Sequence, residues 1–119
     1  MPEDQPHLTV TQKDGVQVVE FSDRKILEEL SIREIEDQLF DLVRGDEPVK
    51  LLLNFKNVEH LSSAALGMLI NLEKEVSRNS GKLMLSNIHP QIYEVFKITR
   101  LNKMFEIHET AAQALKFFT

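Results

Sequence analysis

Val49-Lys50-Leu51-Leu52-Leu53-Asn54-Phe55 is a short, nearly continuous apolar run. Such a run fits a strand covered on both faces in the middle of a sheet, although leucine is not itself a strong strand former. Downstream, Ser63 to about Arg78 reads as a helix. It is apolar almost all round at its start (Ala64, Ala65, Leu66, Met68, Leu69, Ile70, Leu72), polar by its end (Glu73, Lys74, Glu75), and stopped by Asn79-Ser80-Gly81. Its first two turns should be buried. Lys82-Leu83-Met84-Leu85 supplies the next strand, and a strand, helix, parallel strand unit crosses over right-handed in nearly all known cases.

Toward the N-terminus, Leu8-Thr9-Val10-Thr11 alternates with period two, Asp14-Gly15 is a hairpin turn signal, and Val16-Gln17-Val18-Val19-Glu20-Phe21 alternates again. That is an antiparallel hairpin. Residues 1–6 read as a flexible polar tail, and Ser22-Asp23-Arg24-Lys25 as a linker. Ser31 and Glu34 form a capping box ahead of Ile32, Ile35, Leu39, Leu42 and Val43, which share one helical face. Gly45 is a permissive helix stop, and Pro48 prevents resumption. Toward the C-terminus, Asn87 and Pro90 open a third helix bearing Ile92, Val95 and Phe96. Met104-Phe105-Glu106-Ile107 reads as a final strand and Thr110 to Phe118 as a final amphipathic helix. The order is β-β-α-β-α-β-α-β-α, a single α/β domain over residues 1–119 with a small mixed sheet and about four helices.

Composition excludes several classes of function. The 119 residues are 42% hydrophobic, enough for one core without staples. With no Cys there is no disulfide, thiolate metal site or cysteine nucleophile. The histidines at 7, 60, 89 and 108 form no compact ligand cluster, so neither a metal nor another cofactor is expected. Fourteen Lys and Arg against 19 Asp and Glu argue against binding nucleic acid through its phosphates. No stretch approaches the roughly 20 apolar residues that span a bilayer, and the acidic start is unlike a signal peptide. The expectation is a cytoplasmic protein without membrane contact. Charge is uneven: residues 20–47 hold ten acids against four bases, and residues 48–119 hold six against nine. The acidic segment is either a solvated helix face or a docking face for a basic partner.

One segment departs from what packing alone would write: Asn57-Val58-Glu59-His60-Leu61-Ser62-Ser63-Ala64-Ala65-Leu66-Gly67. It lies between the carboxyl end of the central strand and the buried helix, where open α/β sheets place ligands or partners. At a helix start the first N–H groups are unsatisfied and the dipole is positive. Ser62 or Ser63 can therefore cap the helix, and a phosphate on either is electrostatically favoured. Ala64, Ala65 and Gly67 keep the following surface flat enough for another chain to approach. Packing alone could also explain an N-cap serine followed by small residues. No phosphate-cradling loop is present, because the glycines at 15, 45, 67 and 81 are far apart. Nothing resembles a nucleophile and base, so no enzyme is expected. Lys97, Arg100 and Lys103 cluster at the end of the third helix, where cations favour the dipole.

The run Leu61-Ser62-Ser63-Ala64-Ala65-Leu66-Gly67, with the strand Leu51-Leu52-Leu53-Asn54-Phe55 before it and Met68-Leu69-Ile70 after it, resembles the signature of bacterial anti-sigma-factor antagonists, the STAS-domain family. The family signature usually reads Asp-Ser-Ser/Thr-Gly-Leu-Gly. Its second hydroxyl residue is phosphorylated by a serine kinase that doubles as the anti-sigma factor. The resemblance implies a small sheet packed with helices and a non-enzymatic antagonist that switches partners. Those partners are a histidine-kinase-like ATPase and a serine phosphatase, and the protein itself is a monomer or weak homodimer. Aligning the serine pair makes Ser63 the phosphosite with one residue inserted; aligning Leu66-Gly67 puts Ala64 there and Ser62 in place of the Asp. Ser63 is the leading phosphosite and Ser62 the alternative. Glu59, His60, Ser62, Ser63, Ala64, Ala65 and Gly67 form the expected partner-binding segment. A different reading keeps the fold and makes the serines mere caps of a scaffold or sensor module that assembles without phosphorylation.

Overall fold

The computed structural model describes residues 3–4, 7–44 and 48–118. Eight strands, β1 (Glu3–Asp4), β2 (Leu8–Lys13), β3 (Val16–Phe21), β4 (Lys25–Ile26), β5 (Lys50–Asn54), β6 (His60–Leu61), β7 (Lys82–Ser86) and β8 (Glu106–His108), are joined by five helices. These are α1 (Glu29–Val43), α2 (Ser63–Arg78), α3 (Pro90–Ile98), α4 (Leu101–Met104) and α5 (Ala111–Lys116). Six strands form one mixed sheet in the order β1-β2-β3-β5-β7-β8. The hairpin and β1 are antiparallel, and β3, β5, β7 and β8 run parallel.

The apolar strand β5 lies between β3 and β7, with Leu51, Leu52 and Leu53 fully buried. Its alternation separates two cores. Leu51 and Leu53 face α1, α2 and α3 through Ile35, Leu39, Leu69, Leu72 and Phe96. Leu52 faces the other way, with Val16, Met84 and the Ala114 and Phe118 side chains around α5. At the hairpin, Asp14 (φ 54°) and Gly15 (φ 81°) both take the positive φ that a tight two-residue turn demands. Gly81 is required for a different reason: a Cβ there would lie 2.6 Å from the Val49 carbonyl oxygen.

Several boundaries differ from the sequence expectation. Helix α1 begins at Glu29 with Glu28 as an N-cap that makes no side-chain bond, so Ser31 lies within the first turn and forms no capping box. Glu34 instead approaches His7, Oε2 to Nε2 at 3.5 Å, while His7 Nδ1 is 2.8 Å from Asp23. Tertiary packing of Ile32, Ile35, Leu39 and Val43 sets this helix rather than its cap. The Gly45 stop lies outside the described residues. In the expected tail, Glu3–Asp4 pair with Thr9 and Val10, and residues 1, 2, 5 and 6 lie outside the described residues. Asn87 does not open α3. It takes a left-handed turn (φ 59°), and His89 caps the helix, its Nδ1 accepting from the Gln91 N–H at 3.3 Å. Met104 ends the short α4, and the last strand starts two residues later, at Glu106. No described helix is long and apolar enough to cross a membrane.

Candidate functional site

The turn after β5 is held from inside. Asn54 Oδ1 accepts the Lys56 N–H at 2.9 Å, Asn57 Nδ2 donates to the Phe21 carbonyl at 3.1 Å, and Val58 is buried. Phe21 and Phe55 pack beneath it with ring centroids 4.9 Å apart. The chain then runs alongside the segment that sequence reading took for a linker. Lys25–Ile26 and His60–Leu61 pair as a separate two-stranded parallel sheet. The Arg24 carbonyl accepts from the Glu59 and His60 N–H groups at 2.7 and 3.1 Å, and the Ile26 carbonyl from the Ser62 N–H at 3.1 Å.

Side chains repeat this tie. Arg24 Nε donates to Glu59 Oε2 at 2.7 Å. That hydrogen bond and the guanidinium charge hold the Glu59 carboxyl below its ordinary range, with smaller pulls from His60 and His89, and raise Arg24 in turn. Both groups are solvated, so the pair orients the loop more than it stabilises the fold.

The extended backbone at Ser62 (φ −84°, ψ 167°) starts α2, and Ser62 Oγ accepts the Ala65 N–H at 3.1 Å as the helix N-cap. Ser63, the first helical residue, is exposed, as is Ala64. The first two turns are therefore not wholly buried. Ala65, Met68 and Leu69 are sequestered, while Leu66, Gly67 and Ile70 are half-buried. The reason is geometric: only one side of α2 faces the sheet. A Cβ on Gly67 would meet nothing within 4 Å. No internal packing demands glycine there, although within a helix it costs roughly 0.5–1 kcal/mol relative to alanine.

Beside this helix start lies an open groove of about 220 Å³ between α2 and α3, lined by Glu59, His60, Leu61 and Leu66 on one side and Gln91, Ile92 and Val95 on the other. Of the seven residues expected at the site, Glu59 and His60 line this groove; Ser63 and Ala64 are exposed, Ser62 and Gly67 half-buried, and Ala65 is buried in the core. Arg24 and the α3 residues were not among those expected. No local pattern marks them, because their role depends on strand pairing and helix packing across more than 30 residues. Among the described residues no group of three or more His, Asp or Glu side chains is arranged to hold a metal ion.

The profile of the STAS domain family matches residues 7–114. A relative from Thermotoga neapolitana named among the anti-sigma factor antagonists is 33% identical over 67 residues, covering 56% of this chain and 59% of that protein. The match thus spans about three fifths of that relative's length. An anti-sigma factor antagonist from Mycobacterium paratuberculosis superposes with a TM-score of 0.79 at 25% identity, covering 92% of this chain and 90% of that one. An anti-sigma-factor antagonist (STAS) domain protein from Planctomyces limnophilus gives a TM-score of 0.84 at 22% identity over 94% and 97% of the two chains. At that identity the likeness concerns the fold alone.

Proposed function

The chain belongs to the STAS domain family, and from that membership we propose that it is a cytoplasmic, non-enzymatic anti-sigma-factor antagonist switched by phosphorylation of Ser63. Its partner is an anti-sigma factor that is also a serine kinase of the histidine-kinase-like ATPase type, and a serine phosphatase reverses the modification. The partner docks on Glu59, His60, Ser63, Ala64 and Gly67, with Ser62 holding the helix start. The observation that carries the choice of serine is the division of labour at this start. Ser62 Oγ is engaged as the N-cap, whereas Ser63 is exposed at the first helical position.

A phosphate on Ser63 adds about 1.5 to 2 negative charges beside the positive end of α2, where the chain itself tolerates them. A partner packed against Ala64 and Gly67 must desolvate the same charge. Losing a few kcal/mol in that way lowers affinity by about a hundredfold or more. Gly67 supports this reading, because open space above it invites close approach by another backbone.

The test is reconstitution with the cognate kinase. Ser63→Glu should bind at least tenfold more weakly than the parent while Ser63→Ala binds normally, and incubation with the kinase and ATP should add one phosphate that Ser63→Ala abolishes. Loss at Ser62 variants alone would move the phosphosite by one residue. Parent-like binding by acidic variants at both positions would refute the charge switch, and the absence of any added phosphate would refute the phosphorylation.

A further inference from the structure

A second cleft, of about 480 Å³, opens between α3 and the end of β8 and is lined by Ile88, Pro90, Tyr93, Ile107, His108 and Glu109. It lies at the carboxyl ends of β7 and β8, which are parallel neighbours, the position where open α/β sheets take ligands. Small-molecule pockets typically span about 300–1,000 Å³. Ile88, Pro90 and Ile107 give the cleft apolar walls, Tyr93 gives it an aromatic one, and no Lys or Arg is among the lining residues. Helix α3 separates it from the groove near Ser63, since Gln91, Ile92 and Val95 line the groove while Pro90 and Tyr93 line the cleft.

The polar groups at this cleft are acceptors. His108 is fixed by its neighbours: Nε2 lies 2.9 Å from Glu106 Oε2, and the ring stacks on Phe117 with centroids 4.7 Å apart. Lys82 completes the support, donating to the Phe117 carbonyl at 3.3 Å and approaching Glu106 Oε1 at 3.8 Å. A carboxylate only accepts, so His108 Nε2 carries a hydrogen and the neutral ring leaves Nδ1 as an acceptor. Glu109 is exposed and has no cationic partner among the described residues. At the end of β7, Ser86 is 0% exposed and stands opposite His108 in register, and Asn87 immediately precedes Ile88. Ser86 Oγ and Asn87 Oδ1 are both buried with no hydrogen-bond partner among the described residues, a state that costs free energy unless a partner arrives. An anion finds no counterpart here. At the start of α3, Pro90 has no N–H, His89 Nδ1 takes the Gln91 N–H at 3.3 Å, and the His89 carbonyl takes those of Ile92 and Tyr93, both at 2.9 Å. That first turn has no N–H left for a carboxylate or phosphate.

We propose that the cleft between α3 and β8 binds a small organic cation, a primary ammonium carried on a flat aromatic body. The body lies against Ile88, Pro90 and Ile107 beside the Tyr93 ring, and the ammonium meets the Glu109 carboxylate, the only carboxylate in the lining. An ammonium has three donors and no acceptor, which suits a site whose free groups are the Glu109 carboxylate, His108 Nδ1 and, one residue from the cleft wall, Asn87 Oδ1. Because Glu109 is solvated, its charge contributes modestly, and a ligand of about ten heavy atoms should bind with a Kd near about 1 mM. The site stands apart from the switch, since none of its lining residues belongs to the 57–67 segment.

Amide chemical shifts of the unmodified chain, followed by NMR during titration with phenethylamine to about 10 mM at neutral pH and low salt, read the outcome directly. Shifts at Ile88, Tyr93, Ile107, His108 and Glu109 should saturate with a Kd of about 1 mM. Phenylethanol has a similar body without the charge, and phenylacetate carries the opposite one; each should bind at least about tenfold more weakly. Glu109→Gln changes an exposed side chain while keeping its size, and circular dichroism checks that the variant is folded. It should weaken phenethylamine binding roughly tenfold and leave that of phenylethanol unchanged. The absence of any saturable shift by about 10 mM overturns the inference, and so do shifts that fall outside the cleft. Equal binding of phenylacetate, or a Glu109→Gln variant that binds the amine as tightly as the parent, overturns it as well.

Discussion

Replacing Ser62 and Ser63 separately by alanine distinguishes two hydroxyls that are neighbours in sequence and different in structure. Ser62 Oγ accepts the Ala65 N–H at 3.1 Å, so Ser62→Ala leaves that donor without its partner at the half-buried start of α2. Loss of a serine N-cap costs about 0.5–2 kcal/mol, typically about 1. Ser63 is exposed, and its replacement by a strong helix former should change stability by less than about 0.5 kcal/mol in either direction. With a urea slope of about 1–3 kcal/mol per molar, the Ser62 variant's midpoint should fall by roughly 0.3–1 M while that of the Ser63 variant hardly moves. The same contrast identifies the phosphorylated residue. A phosphate on Ser63 should add about 0.3–1 kcal/mol through the helix dipole, whereas one on Ser62 must compete with the cap. Urea melts of both alanine variants and of the phosphorylated parent, followed by circular dichroism, make the comparison. Equal losses at the two positions, or a larger loss at Ser63, would refute the assignment of Ser62 as the cap and with it the argument for Ser63 as the free hydroxyl.

Leu69, 1% exposed among Leu51, Leu53 and Leu72, should lose roughly 2–5 kcal/mol on replacement by alanine; a denaturant midpoint shift worth less than about 0.5 kcal/mol would put α2 on the wrong face. Gly67→Ala should stabilise the isolated chain by about 0.5–1 kcal/mol, since its Cβ meets nothing within 4 Å, and should weaken partner binding in a titration with the kinase; unchanged affinity would remove Gly67 from the interface. The Glu73 carboxyl is pushed above its ordinary range by burial, which the hydrogen bond from the Ser77 hydroxyl at 3.1 Å offsets in part. A raised folded pKa means the folded state holds its proton longer, so stability falls as pH rises from the unfolded toward the folded value. Glu73→Gln should therefore melt higher than the parent at neutral pH, with the difference vanishing in acid below the ordinary carboxylate range; an equal or lower melting temperature at neutral pH would contradict this. For Glu59 the sign is opposite. Its pKa is depressed by Arg24, so the Arg24 pair contributes above the ordinary carboxylate range and is lost as pH falls through the depressed value. Arg24→Gln should loosen the 59–62 loop, read as faster amide exchange at Glu59 and His60.

Residues near one another in the chain had already settled much of this molecule. Period-two alternation and Asp14-Gly15 determined the hairpin, an apolar run bounded by polar residues determined the central strand, and the body and stop of α2 agree with the expected helix because its apolar spacing and the Asn79-Ser80-Gly81 break are local. Those are properties of single turns and single strands, where backbone preference and side-chain period act over a few residues. The start of α1 departs from the local pattern: Ser31 and Glu34 fit a capping box, but the helix begins at Glu29, which puts Ser31 inside the first turn, and Glu34 approaches His7 from a distant segment.

What only the tertiary structure decided depends on contacts between distant segments. Arg24 and Glu59 meet across 35 residues. The Ile26 carbonyl that takes the Ser62 N–H puts Ser62 in extended backbone, and this makes it the cap and leaves Ser63 as the first helical residue. Two adjacent serines are equivalent to any local rule, and a strand of two residues is too short to leave a periodic trace. Likewise the sequence by itself placed acids early and bases late, but only the order of strands in the sheet put α1 and α3 on opposite flanks, because pairing between strands is set by the burial of all of them at once.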